Sequence, residues 1–179
     1  MFISLLAILT ALTTVATIVL IVPFPTTAGY FNLGDALVMI SGFLLGPIGG
    51  FIAGGGGSAI ADIAVGYTVY APITLIAKGF EGMCVGYLSS KTFEEARLGG
   101  WDVAGVIMGS IVMMLGYLLG ETFLLGYSFG AAMAELITVN SIQVLVGSIV
   151  TLTVGPVIRI YMRGLSYGLD ESETPFEND

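Results

Sequence analysis

The stretch APITLIAKGFEGMCVGYL, residues 71–88, has the composition of one apolar helix, yet it carries Lys78 and Glu81 in its middle. Charged side chains within a membrane span are unfavourable, and they usually serve a function. A buried lysine can donate to an anionic or hydrogen-bond-accepting group, and a glutamate can accept from hydroxyl or amino groups. The alternative is a structural pair, in which Lys78 binds Asp62 or Glu81.

The composition of the chain indicates a membrane protein. Its 179 residues are 56% hydrophobic and 10% charged, with a mean hydropathy of +0.98, whereas a soluble domain is about 25% charged. The chain contains no histidine and one cysteine, Cys84. These counts exclude Ser–His and Cys–His catalysis and the usual zinc sites. We expect no cofactor, and the lack of a basic patch argues against a nucleic-acid partner.

We predict an all-α integral membrane protein with six transmembrane helices. The length allows about five or six spans of roughly 20 residues. The first apolar run lacks a positive n-region and is too long for a signal peptide, so we interpret it as a retained span. An acidic tail, 164–179, follows a single membrane domain, 1–163, and its composition is typical of disorder. The predicted spans are 3–22, 34–46, 48–65, 71–89, 101–122 and 132–163.

The distribution of basic residues predicts the orientation of these spans. Lys91 and Arg97 lie between the fourth and fifth spans, and Arg159 and Arg163 lie at the end of the sixth. Basic residues favour the cytoplasmic side, and two spans separate the two groups, so both termini are predicted to be cytoplasmic. The loops that then face outside are 23–33, 66–71 and 123–131.

The polar groups at membrane depth concentrate in the outer half. At 1.5 Å per residue, Lys78 and Glu81 lie roughly 10 and 15 Å below the outer boundary. Asn140 and Gln143 reach a comparable depth, and Glu121 lies near the outer end of its span. The inner half is predicted to be nearly bare. This asymmetry argues against a proton relay through the membrane and favours a cup that opens outside, lined by the fourth, fifth and sixth helices.

Small residues recur on the third and first predicted helices. The run GGFIAGGGGSAIAD lacks the Gly-Lys-Ser/Thr of a phosphate loop. Because small residues let helices approach closely in lipid, this run predicts a smooth face for close packing or sliding against another helix. Ala7 and Ala11 share one face of the first helix, a spacing that ordinary packing also produces.

The stretch FNLGDALVMISGFLLGPIGGFIAGGGGSAIADIAVGYTVYAPITLIAKGFEG resembles the S components of energy-coupling factor (ECF) vitamin importers. It is most similar to the branch that groups riboflavin S components with pyridoxine and hydroxymethylpyrimidine binders. The resemblance covers 1–163 and is most specific over 31–90. It implies six helices, cytoplasmic termini and a solute site near the outer face of a prokaryotic cell membrane.

The resemblance also implies partners. Ala7 and Ala11 match the motif that docks on a transmembrane T subunit, and two cytoplasmic ATPases complete such a complex. The S component is thought to topple in the membrane and carry its solute inward.

We therefore expect a solute-binding, translocating subunit without catalysis of its own. The aromatic residues of the outer loops fit either an interfacial belt or a lid. We expect the loop 23–33 to close over the solute. The favoured solute is a vitamin B6 form or hydroxymethylpyrimidine, and riboflavin is the next candidate. The alternatives are a proton-coupled secondary transporter that uses Glu81 or Glu121, and a membrane-embedded enzyme. The residues predicted to contact the solute are Asn32, Tyr67, Tyr70, Lys78, Glu81, Glu121, Asn140 and Gln143.

Overall fold

The computed structural model describes residues 2–25, 27, 29–92 and 97–172, of which 163–172 are described by backbone alone. The helices are α1 (Phe2–Val19), α2 (Gly34–Gly50), α3 (Gly57–Ala64), α4 (Ala71–Ser89), α5 (Gly100–Leu119), α6 (Phe129–Glu135) and α7 (Ser141–Ser172). The π-helical turns are Phe51–Gly56, Gly120–Leu124 and Leu136–Asn140. Two short antiparallel strands, β1 (Val22–Pro23) and β2 (Tyr30–Phe31), form a ribbon between α1 and α2.

The prediction of an all-α membrane protein is confirmed. In the described part of the chain, four helical segments are long and apolar enough to cross a bilayer. The ends differ from the prediction by a few residues, since α1 ends at Val19 and the last helical segment begins at Phe129. The acidic tail beyond 172 lies outside the described residues. The four segments are Phe2–Val19, Gly34–Ala64, Gly100–Leu124 and Phe129–Met162.

The second of these segments bends at the predicted break between two helices. Gly46 has φ 75° and ψ −170°, a backbone conformation outside the helical region. Side chains disfavour a positive φ, which glycine adopts freely. Pro47 then begins the next helical arm, where its missing N–H is not needed. The segment therefore consists of two helical arms, one on each side of Gly46.

The glycines of the second arm face the backbone of α4. A Cβ added to Gly50 would lie 2.3 Å from the carbonyl oxygen of Gly82, and one added to Gly55 would lie 2.7 Å from the Cα of Gly79. The helices therefore approach closely enough for their backbones to touch, as small residues permit in lipid. Of the two predicted uses of this face, the structure shows close packing, and the face is buried rather than open for sliding.

A buried ion pair lies at the end of the bundle opposite the ribbon. Arg159 Nη2 donates to Asp102 Oδ1 over 2.9 Å, and Nη1 donates to Oδ2 over 3.3 Å. Asp102 also accepts from the backbone N–H of Gly99 and so caps α5. The guanidinium carbon lies 3.7 Å from the centroid of the Phe43 ring. Arg159, which the sequence analysis placed at the cytoplasmic end of the last span, is therefore buried against an aspartate.

We predict that Gly50→Ala destabilises the protein by about 1–3 kcal/mol, because its Cβ would overlap the backbone of α4. Gly56→Ala is the matched control: a Cβ there meets no atom within 4 Å, and alanine favours the helix by up to about 1 kcal/mol. Thermal unfolding in detergent micelles measures both. A Gly50→Ala protein that melts at or above the wild-type temperature would contradict the close packing.

Candidate functional site

The β1–β2 ribbon is fastened to the bundle by two buried carboxyl groups. Thr27 Oγ1 donates to Glu135 Oε2, and Tyr30 OH donates to Asp62 Oδ1 over 2.5 Å. The Tyr30 ring also packs on Tyr67, with the ring centroids 4.6 Å apart. Burial raises the pKa of the Tyr30 phenol, and the neighbouring Asp62 raises it further. The phenol therefore stays protonated and acts as the donor in this bond.

Beneath the ribbon, four buried side chains form a connected polar network. Lys78 Nζ donates to Asp35 Oδ1 in a buried ion pair and lies 3.4 Å from Asn32 Oδ1. Gln143 Nε2 donates to Asp35 Oδ2 over 3.4 Å, and Gln143 Oε1 accepts from the backbone N–H of Asn32 over 2.9 Å. None of the four is more than 5% exposed. The network joins α2, α4, α7 and the residue that follows the ribbon.

A small cavity lies between the ribbon and this network. Its volume is about 20 Å³, which is room for about one water molecule. The predicted cup of the fourth, fifth and sixth helices is therefore incomplete, because α1, α3 and the ribbon also contribute to the walls. The lining residues are Thr17, Gly29, Tyr30, Asn32, Asp62, Tyr70, Thr74, Lys78, Tyr117, Glu135, Asn140 and Gln143.

Three lining side chains present polar atoms that have no hydrogen-bond partner among the described residues. These atoms are Asp62 Oδ2, the Tyr70 hydroxyl oxygen and Asn140 Nδ2. The side chains are only 2–3% exposed, and an unpaired polar group in such a place is unfavourable. The cavity thus offers an acceptor, a group that both donates and accepts, and a donor. This set suits a small ligand that carries complementary groups.

The structure brings five of the eight predicted solute-contacting residues to the cavity. Tyr67 packs against Tyr30 and is not part of the lining. Glu81 and Glu121 are fully buried and also lie outside the lining, and their carboxyl oxygens have no hydrogen-bond partner in the described part of the chain. The five residues at the cavity are Asn32, Tyr70, Lys78, Asn140 and Gln143.

Lys78 does form a structural ion pair, but the predicted partners, Asp62 and Glu81, were wrong. Lys78 binds Asp35, whereas Asp62 accepts from Tyr30 and Glu81 forms no ion pair among the described residues. The reason lies in the glycine contacts. They bring the backbones of α2 and α4 together, so that the carboxylate near the start of α2 reaches the lysine.

Sequence reasoning missed several lining residues. Asp62 and Glu135 both lie within predicted spans, but no spacing indicates that residues so far apart in the chain meet at one cavity. Thr74 precedes Lys78 by one helical turn and so shares its face, a signal that could have identified it. Tyr117 gave no signal, because its position depends on how α5 packs on α4.

Comparison with known proteins agrees with these observations. The model of the family "ECF-type riboflavin transporter, S component" matches residues 2–162. The chain is 31% identical over 160 residues to the thiamine precursor transporter HmpT of Lactococcus lactis subsp. cremoris strain MG1363, covering 87% of this chain and 86% of HmpT. It is 42% identical over 122 residues to a Pyrococcus woesei protein described as an uncharacterized protein in the gap 3′ region, covering 68% and 78% of the two chains.

The chain belongs to the ECF-type riboflavin transporter S component family. It is therefore a multi-pass membrane protein and a transporter component rather than an enzyme. The resemblance in the sequence is confirmed over nearly the whole chain.

We predict that Lys78→Ala destabilises the protein by about 3–5 kcal/mol, because it leaves Asp35 buried without its cation. Lys78→Met combined with Asp35→Leu removes both charges and should recover most of this loss. The control is Lys91→Ala: Lys91 is exposed and its Nζ lies 4.0 Å from the Trp101 ring centroid, a contact worth about 0.5–1 kcal/mol. Chemical unfolding in micelles measures all three, and equal losses for the two lysines would contradict the account.

Proposed function

We propose that the chain captures and translocates a small heteroaromatic vitamin or vitamin precursor as the S component of an ATP-driven ECF importer. The observation that carries the proposal is the cavity with its three unpartnered polar atoms. We favour hydroxymethylpyrimidine or a vitamin B6 form over riboflavin. The 31% identity to a thiamine precursor transporter supports this preference.

The chemistry of the cavity lining matches such a solute. Tyr30, Tyr70 and Tyr117 supply aromatic surface for a flat ring. Asp62 and Asn140 supply an acceptor and a donor for ring nitrogens, amino groups or hydroxymethyl groups. A single ring requires less enlargement of a 20 Å³ cavity than the three fused rings of riboflavin.

Binding requires the ribbon to move. Ligand sites enclose roughly 300–1,000 Å³, far more than the cavity of about 20 Å³. Two side-chain hydrogen bonds, from Thr27 and Tyr30, fasten the ribbon to the carboxyl groups of Glu135 and Asp62. Because a hydrogen bond to a carboxylate contributes only about 1.5–3 kcal/mol net, the ribbon can open and close again. We assign it the role of the lid.

We propose six spans with both termini in the cytoplasm. The two helical arms that meet at Gly46 count as two separate spans. Helix α4, which lies between α3 and α5 in the chain, counts as another span. We propose that these two arms, α1, α4, the α5 segment and the α6–α7 segment each cross the membrane once, which makes six crossings. In this orientation the ribbon end faces outside and receives the solute.

The first helix carries a surface that suits a partner. Ala7 and Ala11 are both exposed, whereas Leu9, Thr13 and Thr17 of the same helix are buried. The small pair therefore lies on the outer face of α1, where it is free to contact a T subunit. We propose that this face docks on the T subunit and that two cytoplasmic ATPases supply the energy.

Isothermal titration of the purified chain tests the substrate. We expect hydroxymethylpyrimidine or pyridoxine to bind more tightly than riboflavin, because the cavity is small. Asn140→Leu is nearly isosteric and removes the unpartnered donor at the cavity, so it should weaken binding by about tenfold. If none of the three compounds binds, the substrate assignment fails.

Uptake measurements test the docking face. Ala7→Arg should abolish ATP-dependent uptake by the full complex and leave solute binding intact. The control is Ile107→Arg, an exposed apolar position on α5 at a similar distance from its helix start. Uptake that survives Ala7→Arg would contradict the docking role. Uptake by the chain alone, driven by a pH gradient, would instead support a secondary transporter.

A further inference from the structure

We infer that the cavity selects its solute by charge: the Asp62 carboxylate binds a solute that presents an N–H or O–H donor, and the site excludes anionic forms such as phosphate esters. This inference rests on the proposed function, since it names the charge class of the solute captured at the same cavity. It also moves the main recognition role from Lys78 to Asp62.

The lining of the cavity contains more acidic side chains than basic ones. Among the described residues that line it, Lys78 is the one cation, and its charge is already engaged by Asp35. Asp62 and Glu135 also line the cavity, and neither forms an ion pair within the described part of the chain. The lysine therefore does not offer a free positive charge to an incoming anion.

The two oxygens of Asp62 have different surroundings. Oδ1 accepts from Tyr30 OH, whereas Oδ2 has no hydrogen-bond partner among the described residues. The side chain is 2% exposed and forms part of the cavity wall. Because Tyr30 uses only Oδ1, the ribbon can remain fastened while Oδ2 accepts from the solute. Solute binding at Oδ2 therefore does not require the hydrogen bond between Tyr30 and Asp62 to break.

The other unpartnered atoms fit the same class of solute. Asn140 Nδ2 is a donor on the same cavity as the acceptor Asp62 Oδ2. The edge of an aminopyrimidine presents an amino N–H beside a ring nitrogen that accepts, which matches an acceptor and a donor. A phosphate ester instead adds a group that carries negative charge and only accepts. Such a group would meet Asp62 and Glu135, and like charges brought together at a desolvated site oppose binding strongly.

The test compares free alcohols with their phosphate esters on the full chain in detergent micelles. Isothermal titration measures the affinities of hydroxymethylpyrimidine and pyridoxine directly. Displacement of the bound alcohol measures the affinities of the phosphate esters, which are expected to bind more weakly. We expect the wild-type chain to bind an alcohol at least about 100-fold more tightly than its ester. Asp62→Asn should weaken binding of the alcohol about tenfold or more. It should also lower the ratio of alcohol affinity to ester affinity.

Ser58→Ala is the matched control. Ser58 lies one helical turn before Asp62 on α3, its hydroxyl is buried without a partner in the described part of the chain, and it does not line the cavity. Both affinities should be unchanged in this variant. Glu135→Gln removes the second lining carboxyl group and should also narrow the ratio, so it decides the matter if Asp62→Asn does not fold.

The outcomes distinguish exclusion of the ester by its charge from exclusion by its size. They also distinguish failure of this inference from failure of the proposed function. If the bulk of the phosphate excluded the ester, the ratio would stay constant in the folded carboxyl variants, and charge selection would be overturned. A wild-type chain that binds ester and alcohol equally would overturn it as well. If the wild-type chain binds neither alcohol, the proposed substrate fails and charge selection falls with it. If the wild-type chain binds an alcohol but the ratio of alcohol to ester affinity is unchanged in the carboxyl variants, charge selection is overturned and the proposed function stands.

Discussion

The buried ion pair between Lys78 and Asp35 is the constraint on which the site depends. In a bundle surrounded by lipid, a buried charge is strongly unfavourable unless a partner within the protein compensates it. The two residues come from α4 and α2, and the pair is extended by Gln143 of α7 and Asn32 at the end of the ribbon. Separating these elements would leave at least one charge in an apolar environment. The pair therefore fixes the floor of the cavity.

Two further features make this arrangement possible. Gly50 and Gly82 allow the α2 segment and α4 to touch along their backbones, so that Lys78 of α4 reaches Asp35 of α2. At the opposite end, Arg159 and Asp102 form a second buried pair that joins α7 to α5. Since α7 contributes to both clusters, the helices are held at each end, while only side-chain bonds fasten the ribbon to Asp62 and Glu135. Buried ion pairs hold the bundle together at both ends, whereas the ribbon is the element that we propose to move.

Much of this fold follows from the sequence, and less of the site does. Apolar runs and the Gly46–Pro47 break predict the helices, because hydropathy and backbone chemistry are local properties. Lys78 stands out for the same reason. Its partner does not, because the choice among several carboxyl groups depends on which helices approach most closely. The burial of Arg159 was missed because an arginine at a helix end normally faces water, and only tertiary packing brings Asp102 to it.

We propose that Lys78 belongs to the framework, whereas Asp62, Tyr70 and Asn140 recognise the solute. A structure of the purified chain with hydroxymethylpyrimidine bound tests this most directly. The account predicts the ring beneath the ribbon, within hydrogen-bond distance of Asp62 Oδ2 and Asn140 Nδ2, with Lys78 still bound to Asp35. A solute that binds Lys78 directly and displaces Asp35 would contradict it.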